Sequence, residues 1–141
     1  MSILKSKLRL YWSLIKSLQT ALLLTTGLAG YMSARCPIFS IWTILGVAGS
    51  LFLAISGSTV LNMWYDRDID AKMSRTLTRP LPAGKVPPQE ALFFGLTISI
   101  LGVGWAFAID SLFGAIVFAG LFFDVIVYTI WLKRRTCWSI V

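Results

Sequence analysis

Apolar residues fall in four long runs separated by short polar breaks. The first covers about Leu18 to Ala34, with an approach from Tyr11 along which Lys16 would snorkel its ammonium to an interface. The second covers about Ile38 to Leu61, the third about Ala91 to Ile109 and the fourth about Leu112 to Leu132. Each is close to the roughly 20 residues that a helix needs to cross a bilayer. None alternates apolar and polar positions for long, which disfavours a membrane β-barrel. The pattern predicts an all-α, polytopic membrane helical bundle with about four transmembrane helices, forming a single domain over 1–141 with one long polar loop from Asn62 to Glu90. The first run is not expected to be a cleaved signal peptide, because "GLAGYMSARC" leads directly into another span without a clear small-residue cleavage site.

Composition supports this reading. Hydrophobic residues make up 57% of the 141 positions, more than a soluble domain of this length carries. The net charge of +7 does not point to nucleic acid, since the basic residues cluster at the ends of apolar runs rather than along one polar face. They order the spans instead. Of the 13 lysines and arginines only Arg35 lies between the first and second runs, and none lies between the third and fourth. The positive-inside rule then places the N-terminus, the long loop and the C-terminus in the cytoplasm, at the plasma membrane in a prokaryote. Cys36 and Cys137 fall on opposite faces and are not expected to pair. With no histidine and only these cysteines, zinc, iron–sulfur and histidine-ligated haem sites are excluded. Any metal must be held by oxygen, which points to a hard cation such as Mg2+.

Inside the runs, Gly27, Gly30, Gly46, Gly49, Gly57, Gly102 and Gly104 are expected to let helices pack closely. Tyr11, Trp12, Trp64, Tyr65, Trp131 and Trp138 lie near expected interfaces and suit an aromatic belt.

The charges concentrate in "NMWYDRDIDAKMSRTLTRPLPAGK". Asn62, Asp66 and Asp70 are spaced i, i+4, i+8 and would share one face of a helix continuing the second run, while Asp68 would point elsewhere. Two carboxylates at that spacing repel unless a cation lies between them. Asp66 and Asp70 are therefore candidate metal ligands, with Asn62 as a neutral oxygen beside them. Arg67, Arg75 and Arg79 could fork onto phosphate oxygens, and Pro80, Pro82 and Gly84 would fold the chain sharply before the third helix. Spacing alone leaves three readings open: a site for a lipid diphosphate with Mg2+, an ordinary polar loop with internal salt bridges, and an ion pathway.

The motif resembles that of the UbiA superfamily of intramembrane prenyltransferases. The family's N-x-x-x-D-x-x-x-D is matched by Asn62, Asp66 and Asp70, and its R-x-x-x-R-P-L-P-[AS]-G by Arg75, Arg79, Pro80, Leu81, Pro82, Ala83 and Gly84. Met63 follows the asparagine, as in the branch that farnesylates heme. "VYTIWLKRRT" resembles the end of the family's fourth helix, which makes Tyr128 and Lys133 further candidates for diphosphate binding. The opening D-G-x-x-A-R of CDP-alcohol phosphotransferases, another membrane family with aspartate motifs, is absent. The resemblance implies Mg2+ on Asp66 and Asp70, farnesyl diphosphate as donor and heme b as acceptor, giving heme O. An alternative within it is a different aromatic acceptor, and another is a non-catalytic subunit or remnant that only binds a prenyl diphosphate.

The family fold implies a bundle of about nine membrane helices, with a second aspartate motif later in the chain. This sequence corresponds to the first half, so a longer chain or a second chain is expected to supply the rest, and 141 residues alone are expected to be inactive or incomplete. Asp124 in "LFFDVIVY" departs from the family, which has an apolar or aromatic residue there. A mid-membrane acid is costly unless paired, and the sequence leaves open whether it is a tolerated substitution or faces a cavity.

Overall fold

A computed structural model of the chain describes residues 12, 15, 17–34, 40–74, 76–77 and 79–132. Lys16, Arg75, Lys133 and both cysteines lie outside the described residues. The described residues are helical, with no strand among them: α1 (Ser17–Ala34), α2 (Ile41–Tyr65), the short α3 (Arg67–Asp70), α4 (Pro88–Ile109) and α5 (Ser111–Phe122). At Phe123 the last helix widens into a π-helical segment, Phe123–Leu132.

The interior holds small polar residues beside an apolar core such as Val47 and Val60, and the exterior is strongly apolar. Ser50, Ser56 and Thr129 are buried at 0–1% exposure, whereas Trp42 is 80% exposed and Phe93 and Ile100 are each 69% exposed. Water would penalise such an exterior, and lipid would not. Among the described residues, three stretches are long and apolar enough to cross a membrane: Ile41–Tyr65, Pro88–Ile109 and Ser111–Trp131. Helix α1 is not among them, because Gln19, Thr20, Thr25 and Thr26 dilute its apolar run. Those threonines still suit a low-dielectric setting. Thr25 and Thr26 Oγ1 donate to the carbonyls of Ala21 (2.6 Å) and Leu22 (2.9 Å), which leaves neither hydroxyl proton unsatisfied.

Helices α2 and α4 form the central pair. A Cβ placed on Gly102 would stand 2.5 Å from the Ala54 amide nitrogen, so the two backbones meet directly there. A Cβ on Gly57 would likewise crowd Ser99, with its backbone nitrogen at 2.8 Å, and the Gly95 carbonyl at 3.0 Å. Gly30 behaves differently from the packing expected of it, since nothing lies within 4 Å of where its Cβ would be, and it lines a cavity instead.

The connection from α4 to α5 is a single residue. Asp110 adopts an extended conformation and its Oδ1 accepts from the Phe113 amide at 3.0 Å, capping α5. Helix α4 starts with Pro88 in its first turn, where a missing N–H costs nothing.

Candidate functional site

Helix α2 does not stop at the last apolar residue of its run. It continues through Asn62 to Tyr65, and helical hydrogen bonding crosses the break at Asp66 into α3. The Asp66 amide donates to the Asn62 carbonyl (3.0 Å) and the Asp70 amide to the Asp66 carbonyl (2.8 Å). Asn62, Asp66 and Asp70 therefore stand one turn apart on one face. Asp66 and Asp70 are each only 6% exposed, while Arg67 and Asp68 between them are exposed. Two carboxylates turn inward and one turns out.

The loop after α3 is strapped back onto Asp70. Arg79 Nη1 lies 2.6 Å from Asp70 Oδ2, and the buried Thr76 hydroxyl donates to the Asp70 carbonyl at 2.6 Å. The "RPLPAG" segment then turns tightly. Ala83 N–H donates to the Arg79 carbonyl (2.9 Å) and Lys85 N–H to the Pro80 carbonyl (2.9 Å), with Gly84 at φ +67° in the left-handed region that glycine tolerates. Leu81 and Val86 anchor this turn by packing with Val60, Met63 and Ala91.

The residues singled out from the sequence do not all converge. Arg79 joins the acidic face through Asp70. Arg67 stands off it: its guanidinium donates to the Trp64 carbonyl (3.0 Å) and lies 4.9 Å from the Trp64 ring centroid, a cation–π contact. Tyr128 is an exposed residue of the π-helical segment. Arg75 and Lys133 lie outside the described residues.

A cavity of about 560 Å3 opens between α1, α2 and the last helix. At one end are Asn62, Ser58 and Gln19; its middle is walled by apolar residues such as Leu51, Ala54 and Val117. Toward the far end Tyr31 meets Phe113 edge-on with ring centroids 5.3 Å apart. The Asn62 Oδ1 is buried without a hydrogen-bond partner among the described residues. Such an orphan acceptor is costly unless a guest supplies a donor or a cation. Asp124 also lines the cavity, and its Oδ2 accepts a hydrogen bond from Ser58.

Sequence reasoning missed Ser58 and Thr76. Ser58 sits four residues before Asn62 and so extends the same i, i+4 stripe, a signal that was available. Thr76 carried no such periodicity, because it lies in a loop.

The donor set suits a hard cation. Two buried carboxylates and a nearby amide oxygen are the ligands that Mg2+ accepts when phosphate oxygens and water complete its shell. No group of three or more acidic, histidine or cysteine side chains able to hold a metal forms among the described residues, so a guest's oxygens would be needed.

The UbiA prenyltransferase family model matches residues 23–141. The protoheme IX farnesyltransferase of Archaeoglobus fulgidus is 48% identical over 135 residues, covering 96% of this chain and 47% of that relative. The protoheme IX farnesyltransferase of Ruegeria pomeroyi is 46% identical over 134 residues, covering 93% and 41%. That of Korarchaeum cryptofilum is 41% identical over 139 residues, covering 99% and 47%. The chain thus spans less than half the length of these relatives. No solved structure matches the chain significantly. With the family model matched from α1 onward and identity above 40% along nearly all of the sequence, this chain belongs to the UbiA prenyltransferase family.

Proposed function

We propose that this chain carries the diphosphate-binding part of an intramembrane prenyltransferase that moves a farnesyl group from farnesyl diphosphate to heme b. The observation that carries this reading is the cavity whose end is marked by the orphan Asn62 Oδ1, with Asp66 and Asp70 one and two turns beyond it. A polar head at the stripe and an apolar tail along Leu51, Ala54 and Val117 is the arrangement an isoprenoid diphosphate requires. The acceptor is proposed from the relatives, each named for farnesyl transfer to protoheme IX.

In this reading Asp66 and Asp70 hold Mg2+, which, when bound, neutralises the departing diphosphate. Asn62 offers its free Oδ1 to that cation, since an amide oxygen cannot donate to the acceptor oxygens of the diphosphate. Arg79, already at the stripe, and Arg75 and Lys133 add positive charge to it. Arg67 and Tyr128 are assigned to the periphery of the head group. The apolar wall keeps bulk water from the allylic carbon as the C–O bond breaks and the electron pair leaves with the diphosphate. A vinyl group of heme b then bonds to the cationic carbon, and water adds to the cation left on the vinyl group, losing a proton to give a hydroxyethylfarnesyl side chain. A second chain or a further segment supplying the rest of the metal site is part of the proposal, as is an orientation with the motif loop and both termini in the cytoplasm.

Mg2+-dependent binding of farnesyl diphosphate by the chain in vesicles tests this. Asp66→Asn is expected to remove it while leaving helix content and membrane insertion intact. Equal binding with and without Mg2+, or an Asp66→Asn variant that binds like the parent, would sink the metal-ligand assignment. Formation of farnesylated heme by the chain together with its remaining half tests the acceptor.

A further inference from the structure

The charged side chains lining the cavity are Asp110 and Asp124, and no lysine or arginine lines it among the described residues. Asp110 is accounted for, since it caps α5 through the Phe113 amide. The Asp124 carboxylate instead bonds across to another helix. It is held by the Ser58 hydroxyl, across the cavity wall from its own helix. Its backbone is held as well: the fully buried Thr129 donates from Oγ1 to the Asp124 carbonyl, five residues back, at 2.8 Å. That i, i+5 relation belongs to the π-helical segment, which begins one residue before Asp124. The widened helix and Ser58 together fix where this carboxylate stands.

A carboxylate in a membrane-embedded apolar cavity is expensive unless a positive charge comes close to it. No described lining residue supplies that charge, and a guest in the cavity can. Ser58 precedes Asn62 by one turn of α2, about 6 Å along the helix axis. We propose that Asp124 is the cavity's cation-facing group, selecting a guest that carries positive charge at the depth of Ser58. This rests on the diphosphate reading above in one respect, namely the identity of the natural guest. With a diphosphate head at Asn62, Asp66 and Asp70, the first carbons of the prenyl chain lie at that depth. When the C–O bond breaks, the electron pair leaves with the diphosphate and the allylic carbons become positive beside the Asp124 carboxylate. The carboxylate forms no bond; it lowers the energy of that charge in a low-dielectric site. Ser58 is the positioning residue.

The test compares farnesylamine, whose ammonium sits at the first carbon, with farnesol, its neutral counterpart. Binding of each to the chain is measured in zwitterionic phosphatidylcholine vesicles. The parent is expected to favour the ammonium by about tenfold or more. Asp124→Asn, which keeps the shape and the acceptor for Ser58, is expected to bind both guests alike, and Ser58→Ala to fall between. Equal binding of the two guests by the parent, or an unchanged preference in Asp124→Asn, overturns the proposal. If Asp124→Asn fails to insert, Ser58→Ala carries the comparison, and an undiminished preference there overturns it too. Mg2+-dependent binding of inorganic pyrophosphate is measured on the same samples. An ammonium preference without pyrophosphate binding supports the cation site and removes only the diphosphate reading. Pyrophosphate binding without an ammonium preference does the reverse.

Discussion

Arg79 and Asp70 form an ion pair of 2.6 Å in which the carboxylate is almost wholly buried and the guanidinium about one-third exposed. The pair ties the end of the loop to the face that carries Asp66. Replacing Arg79 strands a buried charge, and that penalty exceeds the modest worth of an exposed salt bridge. Arg79→Met is expected to destabilise the loop by about 2 kcal/mol. Thermal unfolding in mixed micelles checks the stability. A titration with Mg2+ and inorganic pyrophosphate should show weakened binding, because the same arginine is proposed to face the head group.

Thr76 fastens the loop independently through the Asp70 carbonyl. Thr76→Val keeps the shape and removes the donor, at an expected cost of about 1 kcal/mol. Hydrogen exchange should quicken across residues 71–86 and stay unchanged in α4. Thr76→Ser should restore the parent's protection.

The contact of α2 with α4 leaves no room for a side chain at Gly102, where a Cβ would meet the Ala54 backbone. Gly102→Val is expected to push the helices apart and cost about 3 kcal/mol. Gly104→Ala is the control, since nothing lies within 4 Å of its Cβ position. Unfolding of both variants in mixed micelles should separate them clearly, with Gly104→Ala at or slightly above the parent.

Gly30 marks open space beside the cavity. Gly30→Leu is expected to shorten the room for an apolar tail without touching the polar stripe. Farnesyl diphosphate binding should fall by about tenfold, geranyl diphosphate binding by less, and inorganic pyrophosphate binding not at all. A uniform loss across all three would place Gly30 in folding rather than in tail accommodation.

The helices and the shared face of Asp66 and Asp70 were legible because both depend on local periodicity. A run of about 20 apolar residues in lipid must satisfy its backbone internally, and a helix does this without reference to the rest of the chain. Spacing of four likewise places Asn62, Asp66 and Asp70 on one face whatever surrounds them. The turn at Pro80, Pro82 and Gly84 was readable for the same reason, since proline and glycine constrain their own dihedral angles.

Which charges would meet could not be read that way. Arg67 and Arg79 look equivalent in sequence, yet Arg67 folds onto Trp64 and Arg79 reaches Asp70, because the loop returns to α2 while Arg67 stays on the outer face of α3. Asp124 looked like an isolated acid in an apolar run, and its partner Ser58 lies 66 residues earlier. That meeting depends on α2 and the last helix standing side by side around a cavity. The sequence by itself determined a helical membrane bundle with an acidic stripe on one helix face. Only the tertiary structure decided which side chains the stripe and the cavity would share, since contacts between distant segments are set by how whole helices pack.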